Sequence, residues 1–421
     1  MSYSAEEKRR IAAVRRYIEQ RWSASIATPD NLRPDVFPLP YPFVTPGDAG
    51  VFNGILFYWD SFFANRGLIL SGRVRDARTT TEDMFCLIDR LGYVPNYSKT
   101  DGAYRSQPPL LAWMVRDLFA AEHDMDLLAR GYAHVKTEHG FWMRERRAGD
   151  TGLNRYFHTA PEGYLTDFGH EMQARLKITV PENENYDFAV HKLAEAESGW
   201  DFNPRFDSHC ADYAPVDLNS ILYSAEKLLA EWADLLENGE GDGWRAAAAA
   251  RKAAMDALLC DETGVFRDYD FVNKKRSPVV SAASMLPLCC GVADARQAAA
   301  AVQHVLPAIE ETFGIATCAR RTEMPVTYQW DWPNGWAPLQ YFVHEGLMRY
   351  DYPEIAARLR RKYLLLVADQ LEATGRLWEK YNVAEGSLKV SDEYEMPVLL
   401  GWTAGVYLHF LDLEPDAWPI S

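Results

Sequence analysis

Cysteine is scarce in this 421-residue chain. There are six, Cys86, Cys210, Cys260, Cys289, Cys290 and Cys318, none in a CxxC pair and none grouped with histidine at zinc spacing. That argues against a disulfide-stapled scaffold or a structural zinc module, and predicts single buried thiols in a reducing compartment. Positive charge is short as well. Lys and Arg number 44 against 60 Asp and Glu, for a net charge of −16. With no Lys/Arg stripe along any segment, a nucleic-acid partner is disfavoured. No apolar run approaches a membrane span. The stretch Ser4 to Arg10 offers neither an apolar signal core nor a small-residue cleavage site. The expectation is a cytoplasmic protein that meets neither membrane nor nucleic acid, with its oligomeric state open. Strand patterns are also few: Leu176 to Val180 is one short candidate and Gly264 to Tyr269 another. No alternation of strand with helix repeats, which argues against a parallel α/β sheet.

Helical periodicity is what the chain has in quantity. Ser4 with Glu7 has capping-box spacing, and Ile11, Val14, Ile18 and Trp22 follow on one helical face. Gln107 to Phe119 opens with prolines and continues apolar. Asp217 precedes a long pattern through Leu218, Ile221, Leu222, Ala225, Leu228, Leu229, Trp232 and Leu235 that stops near Gly239. Arg245 to Leu259 is alanine-rich and strongly helix-forming. Pro353 suits the first turn of a further helix running through Ile355, Leu359, Tyr363, Leu366 and Leu371. With 48% hydrophobic and 25% charged residues, the composition is globular throughout. No linker interrupts it, so residues 1–421 read as one all-α domain of antiparallel helix pairs.

The unusual residues lie in the connections: Pro38 to Trp59, Gly92 to Pro109, Gly199 to Arg205, Tyr328 to Pro338 and Leu377 to Trp402. Long ordered loops on a helical scaffold are where sites are built. Gln329 to Pro338 holds three tryptophans, an acid and two prolines in ten residues, a rigid loop of flat apolar faces beside hydrogen-bonding groups. That matches a sugar, apolar on its ring faces and polar at its rim. Asp60, Asn96, Arg105 and Gln107, in other loops, can direct bonds to hydroxyls. Glu197 to Phe202 and Trp378 to Asn382 each set a carboxylate among aromatic and small residues. Two carboxylates on opposite faces of a sugar are what glycosidic hydrolysis requires.

These residues bring the chain close to a known family. From about Pro38 to Leu411 it resembles the trehalase family of inverting glycoside hydrolases. The matches are Phe57-Tyr58-Trp59-Asp60-Ser61-Phe62, Arg105-Ser106-Gln107-Pro108-Pro109, Ser198-Gly199-Trp200-Asp201, Pro215-Val216-Asp217-Leu218-Asn219, Gln329 to Pro338, Glu379-Lys380-Tyr381 and Gly401-Trp402-Thr403, in the family's order. The resemblance implies an (α/α) toroid, a barrel of paired antiparallel helices with long active-site loops at one mouth, on which an N-terminal helical segment 1–37 packs. It implies Asp201 as general acid and Glu379 as general base, with burial between Trp200 and Phe202 keeping Asp201 protonated. It further implies substrate contacts from Phe52, Tyr58, Trp59, Asp60, Asn96, Arg105, Gln107, Glu162, Gly199, Trp200, Gln329, Trp330, Asn334, Trp336 and Glu393. The expected partner is a small carbohydrate such as trehalose or another small α-glucoside, and no metal or organic cofactor is expected.

The pattern also breaks. The family's Gly-Gly-Arg-Phe is replaced by Pro46-Gly47-Asp48-Ala49-Gly50-Val51-Phe52, and its Arg-Pro-Glu-Ser-Tyr by Ala160-Pro161-Glu162-Gly163-Tyr164. Two expected substrate-binding arginines are therefore absent, with Lys99 and Arg155 as candidate replacements. Two competing functions stay open on the sequence. One is a sugar epimerase or isomerase using histidines such as His191, His209 or His344. The other is a carbohydrate-binding relative without turnover.

Overall fold

Six helices pass contact around a closed ring, and the last returns to the first. In the computed structural model, which describes residues 3–414 apart from 49, 51, 324, 325, 327, 392, 394 and 399, fifteen α-helices are present. They are α1 (Ala5–Arg21), α2 (Tyr58–Leu70), α3 (Val74–Leu91), α4 (Leu111–Glu122), α5 (Met125–Glu145), α6 (Glu162–Leu176), α7 (Asn185–Glu197), α8 (Val216–Leu235), α9 (Gly241–Leu258), α10 (Leu286–Cys289), α11 (Ala295–His304), α12 (Leu306–Ile309), α13 (Ala337–Arg349), α14 (Pro353–Thr374) and α15 (Gly401–Asp412). The inner ring runs α2, α4, α8, α10, α13, α15 and back to α2. Behind it, α3 packs on α2 and α4, α5 on α4 and α8, α9 on α8, and α14 on α13. The expected toroid of helix pairs is the observed fold. Of the stretches named above, Ala49 and Val51 before Phe52, Asp392 and Tyr394 beside Glu393, and the chain ends 1–2 and 415–421 lie outside the described residues.

The helices begin where local chemistry starts them. Ser4 and Glu7 exchange both bonds of a capping box, and Ile11, Val14 and Ile18 are buried against α14. Proline marks other starts: Pro215 precedes α8 and Pro338 sits in the first turn of α13, where a fixed φ helps and no N–H is missed. Ring closure depends on two glycines. A Cβ on Gly405 of α15 would stand 1.8 Å from the Phe63 carbonyl oxygen of α2, and one on Gly67 would stand 2.7 Å from the Gly405 Cα. The two backbones touch there.

The strand expectations fare unevenly. Of Gly264 to Tyr269 only Tyr269 is in a strand: Tyr269–Asp270 is the middle strand of a three-stranded antiparallel ribbon with Tyr213–Ala214 and Lys275–Arg276, and Phe266 makes an isolated bridge to Cys260. Leu176 to Val180 is not a strand: Leu176 ends α6, Lys177 turns into the left-handed region, and the following backbone bonds back to Gln173. The ribbon most relevant to the site pairs Asn334–Trp336 with Lys380–Asn382, bringing Trp336 opposite Lys380.

Candidate active site

The polar loops converge on one cavity of about 400 Å³ at the mouth of the ring. That volume lies within the usual range for small-molecule sites. The first turn of α2 supplies Trp59 and Asp60, and the segment before α4 supplies Arg105 and Gln107. The segment after α7 supplies Gly199 and Asp201, and the one before α13 supplies Gln329, Trp330 and Trp336. Glu379 follows α14 and Trp402 opens α15. Four inner helices thus start at this mouth, so their N-terminal partial positive charge faces a cavity lined by carboxylates.

Asp201 and Glu379, far apart in sequence, line the same cavity, and Gln329 lies between them. Its side-chain amide donates to the Asp201 carbonyl at 2.6 Å, while its Oε1 accepts from Lys380 Nζ at 3.3 Å. Lys380 Nζ also donates to Glu379 Oε2 at 2.9 Å. The Trp402 indole N–H holds the Glu379 carbonyl at 3.0 Å. On the other side, Arg175 donates from Nη2 to Asp201 Oδ2 at 3.1 Å and from Nε to Glu393 Oε2 at 2.8 Å. Glu393 in turn accepts from the Gln329 backbone N–H at 3.0 Å. The expectation of an enclosed Asp201 is corrected: its side chain is 32% exposed, because one edge faces the open cavity.

Asp60 and Glu379 are the buried acids of the cavity. Burial, then the neighbouring Glu379 and Asp201 charges, push the Asp60 carboxyl up to about 8. Burial likewise pushes Glu393 up to about 7, with Arg175 pulling it back. Arg105 is buried, yet its Nε and Nη1 make no hydrogen bond among the described residues.

The apolar wall is a tryptophan stack. Trp330 and Trp336 lie parallel at 3.9 Å, Trp200 stacks on Trp330 at 5.5 Å, and Trp402 presents its edge to both Trp330 and Trp336. Gly199 is required beside this wall: its φ is +74° and a Cβ would meet the Trp59 indole at 2.9 Å.

A family profile described as Trehalase matches residues 4–414. The chain belongs to the trehalase family. It is 31% identical to the periplasmic trehalase of Xanthomonas campestris pv. campestris (strain B100) over 442 residues, covering 98% of this chain and 75% of that one. It is 32% identical to the periplasmic trehalase of Pseudomonas aeruginosa over 407 residues, covering 90% and 72%. Among solved structures, the neutral trehalase of Saccharomyces cerevisiae superposes with a TM-score of 0.75 at 26% identity, covering 94% of this chain and 79% of that one. A GH63 mannosylglycerate hydrolase from Thermus thermophilus in complex with glucose, at 18% identity, shares the fold with a TM-score of 0.64 over 96% and 99% of the two chains. The cytoplasmic expectation is overturned, since these curated relatives are named periplasmic trehalases. Single thiols carry no weight against that: Cys210, Cys289, Cys290 and Cys318 are buried, and burial protects a thiol in either compartment. Among the described residues, no helix is long and apolar enough to cross a membrane.

Against this trehalase-family frame, Phe52, Trp59, Asp60, Asn96, Arg105, Gln107, Gly199, Asp201, Gln329, Trp330, Trp336 and Glu379 line the cavity. Five expected contact residues do not. Glu162 is exposed at the start of α6, half a helical turn out of phase with the cavity face of Tyr164, Phe168, Glu171 and Arg175. Tyr58 is buried behind Trp59, with its hydroxyl on the Leu111 N–H. Trp200 backs the tryptophan stack. Asn334 spends its amide on the carbonyls of Gln329 and Ser391. Glu393 sits behind Arg175. The two candidate replacements for the missing arginines also separate: Lys99 lines the cavity but pairs with Asp35 at 2.9 Å, and Arg155 bonds to the Ala211 carbonyl away from it.

Arg175, Lys380 and Tyr164 were missed by sequence reasoning. For Arg175 the available signal was helical phase, three turns after Tyr164 on α6. The histidines of the isomerase reading lie elsewhere: none of His191, His209 or His344 lines the cavity. His344 and His409 both donate to Glu345 Oε1 at 2.9 Å, while Arg66 donates to His409 Nδ1. The two rings and Glu345 thus form one hydrogen-bonded network away from the cavity.

Proposed function

We propose that the chain, acting as one catalytic domain, hydrolyses trehalose or a closely related small α-glucoside with inversion at the anomeric carbon. Asp201 gives a proton to the glycosidic oxygen as the C–O bond breaks. Glu379 takes a proton from a water as that water's oxygen bonds to the anomeric carbon on the opposite face. Lys380 and Trp402 hold Glu379, and Gln329 ties it to the Asp201 loop. Asp60, Asn96, Arg105 and Gln107 would bind hydroxyls, and the Trp330–Trp336 stack would meet a ring face. The observation that carries the reading is the convergence of Asp201 and Glu379 on one sugar-sized cavity that Arg105 also lines. The names of the trehalase relatives support the substrate, and their periplasmic naming supports action outside the cytoplasm.

Proton NMR of the first products tests this. Inversion releases the cleaved glucosyl unit of trehalose as β-glucose and the leaving unit as α-glucose, in equal early amounts, and Glu379→Gln abolishes both signals. Early product that is α-glucose alone would refute inversion, and full activity in Glu379→Gln would remove the base.

A further inference from the structure

Two arginines that the family resemblance implies are absent, and α6 carries a guanidinium to the same cavity. Arg175 lies on the cavity face of that helix, with Tyr164, Phe168 and Glu171 before it. Its Nη2 donates to both the backbone carbonyl and the carboxylate Oδ2 of Asp201, at 3.0 and 3.1 Å. Its Nε donates to Glu393 Oε2 at 2.8 Å, and the guanidinium lies over the Phe202 ring at 4.9 Å. A buried carboxylate on one side, an aromatic face beneath and the loop of Asp201 on the other thus orient a planar fork whose side chain is 21% exposed. Lysine could not make this arrangement, since the two directions of donation come from different nitrogens of one rigid plane.

We propose that Arg175 is a positioning residue for the reaction, aiming the Asp201 carboxyl at the leaving oxygen. This rests on the reading of Asp201 as general acid. With Oδ2 accepting from Arg175, Oδ1 is the oxygen that carries the proton. That proton passes to the glycosidic oxygen as the C–O bond breaks, and Arg175 itself transfers none. Glu393 acts one step further back, holding the guanidinium.

The test compares a leaving group that needs a proton with one that does not. Wild type, Arg175→Ala, Arg175→Lys and Glu393→Gln are assayed on trehalose and on α-D-glucosyl fluoride, whose fluoride departs without general-acid help. Arg175→Ala is expected to lose about a hundredfold or more in kcat/KM on trehalose and only a few fold on the fluoride. Arg175→Lys should not restore the trehalose rate, whereas guanidinium ion added to Arg175→Ala should restore part of it. Glu393→Gln should show the same split in milder form, which keeps the test open if Arg175→Ala fails to fold. Equal losses on both substrates, or no loss on either, would overturn the assignment. Wild type inert toward both would instead remove the hydrolase reading, and this assignment with it.

Discussion

Asp60→Asn is expected to gain stability over wild type as pH rises, while removing a carboxyl that lines the cavity. Asp60 is 8% exposed and shares the cavity with Glu379 and Asp201. Burial and those two charges lift its carboxyl from 3.8 to about 8. Between these values the folded chain keeps a proton that the unfolded chain has already released, so stability falls as pH rises. Below about 4 both states are protonated and the contribution is whole; above about 8 both are ionised and the loss is complete. The slope inside the window is about 1.4 kcal/mol per pH unit. Asparagine has no proton to lose, so it escapes the slope. The gap in unfolding free energy should therefore move in favour of Asp60→Asn by about 4 kcal/mol between pH 5 and pH 8, as an upper figure. Equilibrium urea unfolding of both proteins at pH 5, 6.5, 8 and 9 reads this directly, because carboxylates present in both largely cancel in the difference. A gap that stays constant from pH 5 to pH 9 would refute the assignment of Asp60 as the destabilised acid of the cavity.

Two further perturbations test the scaffold. Gly405→Ala drives a Cβ to within 1.8 Å of the Phe63 carbonyl; it should cost about 3 kcal/mol or more by forcing α15 off α2, and an unchanged thermal midpoint would show that the ring closes some other way. Glu345→Gln weakens the acceptor shared by His344 and His409 and should cost about 2 kcal/mol at pH 7. Burial raises the Glu345 carboxyl, but those two bonds outweigh it and hold the group below its usual 4.5. The stabilisation is therefore present above that value and lost as pH falls, so the gap to wild type should narrow in acid; a gap that widens there would refute the network.

How much of this was legible in the sequence follows from the range of the forces involved. Helices with local signals read correctly: the Ser4–Glu7 box, the Pro353 start and the apolar face of α8 are each decided within a few residues of chain. The convergence of the loops was legible only through resemblance, because nothing local in Trp378 to Asn382 points toward Gly199. The errors have the same origin. Glu162 was placed in the site by motif, but its side chain obeys the phase of α6, which turns Tyr164 inward and Glu162 outward. The resemblance also implies a substrate contact from Asn334, yet two backbone carbonyls occupy its amide.

Arg175 is the converse case. No motif marks it, and on sequence an arginine near a helix end is ordinarily a solvated charge. It becomes part of the site because Glu393, more than two hundred residues later, provides a buried carboxylate that fixes one edge of its guanidinium. A planar donor is defined by where its nitrogens lie relative to Asp201, and any element whose phase and anchor deliver them there can supply it. In this chain α6 has the phase, with Arg175 three turns beyond Tyr164, and Glu393 is the anchor. Substituting Glu393 should accordingly weaken the aim of Asp201 even though Glu393 does not line the cavity.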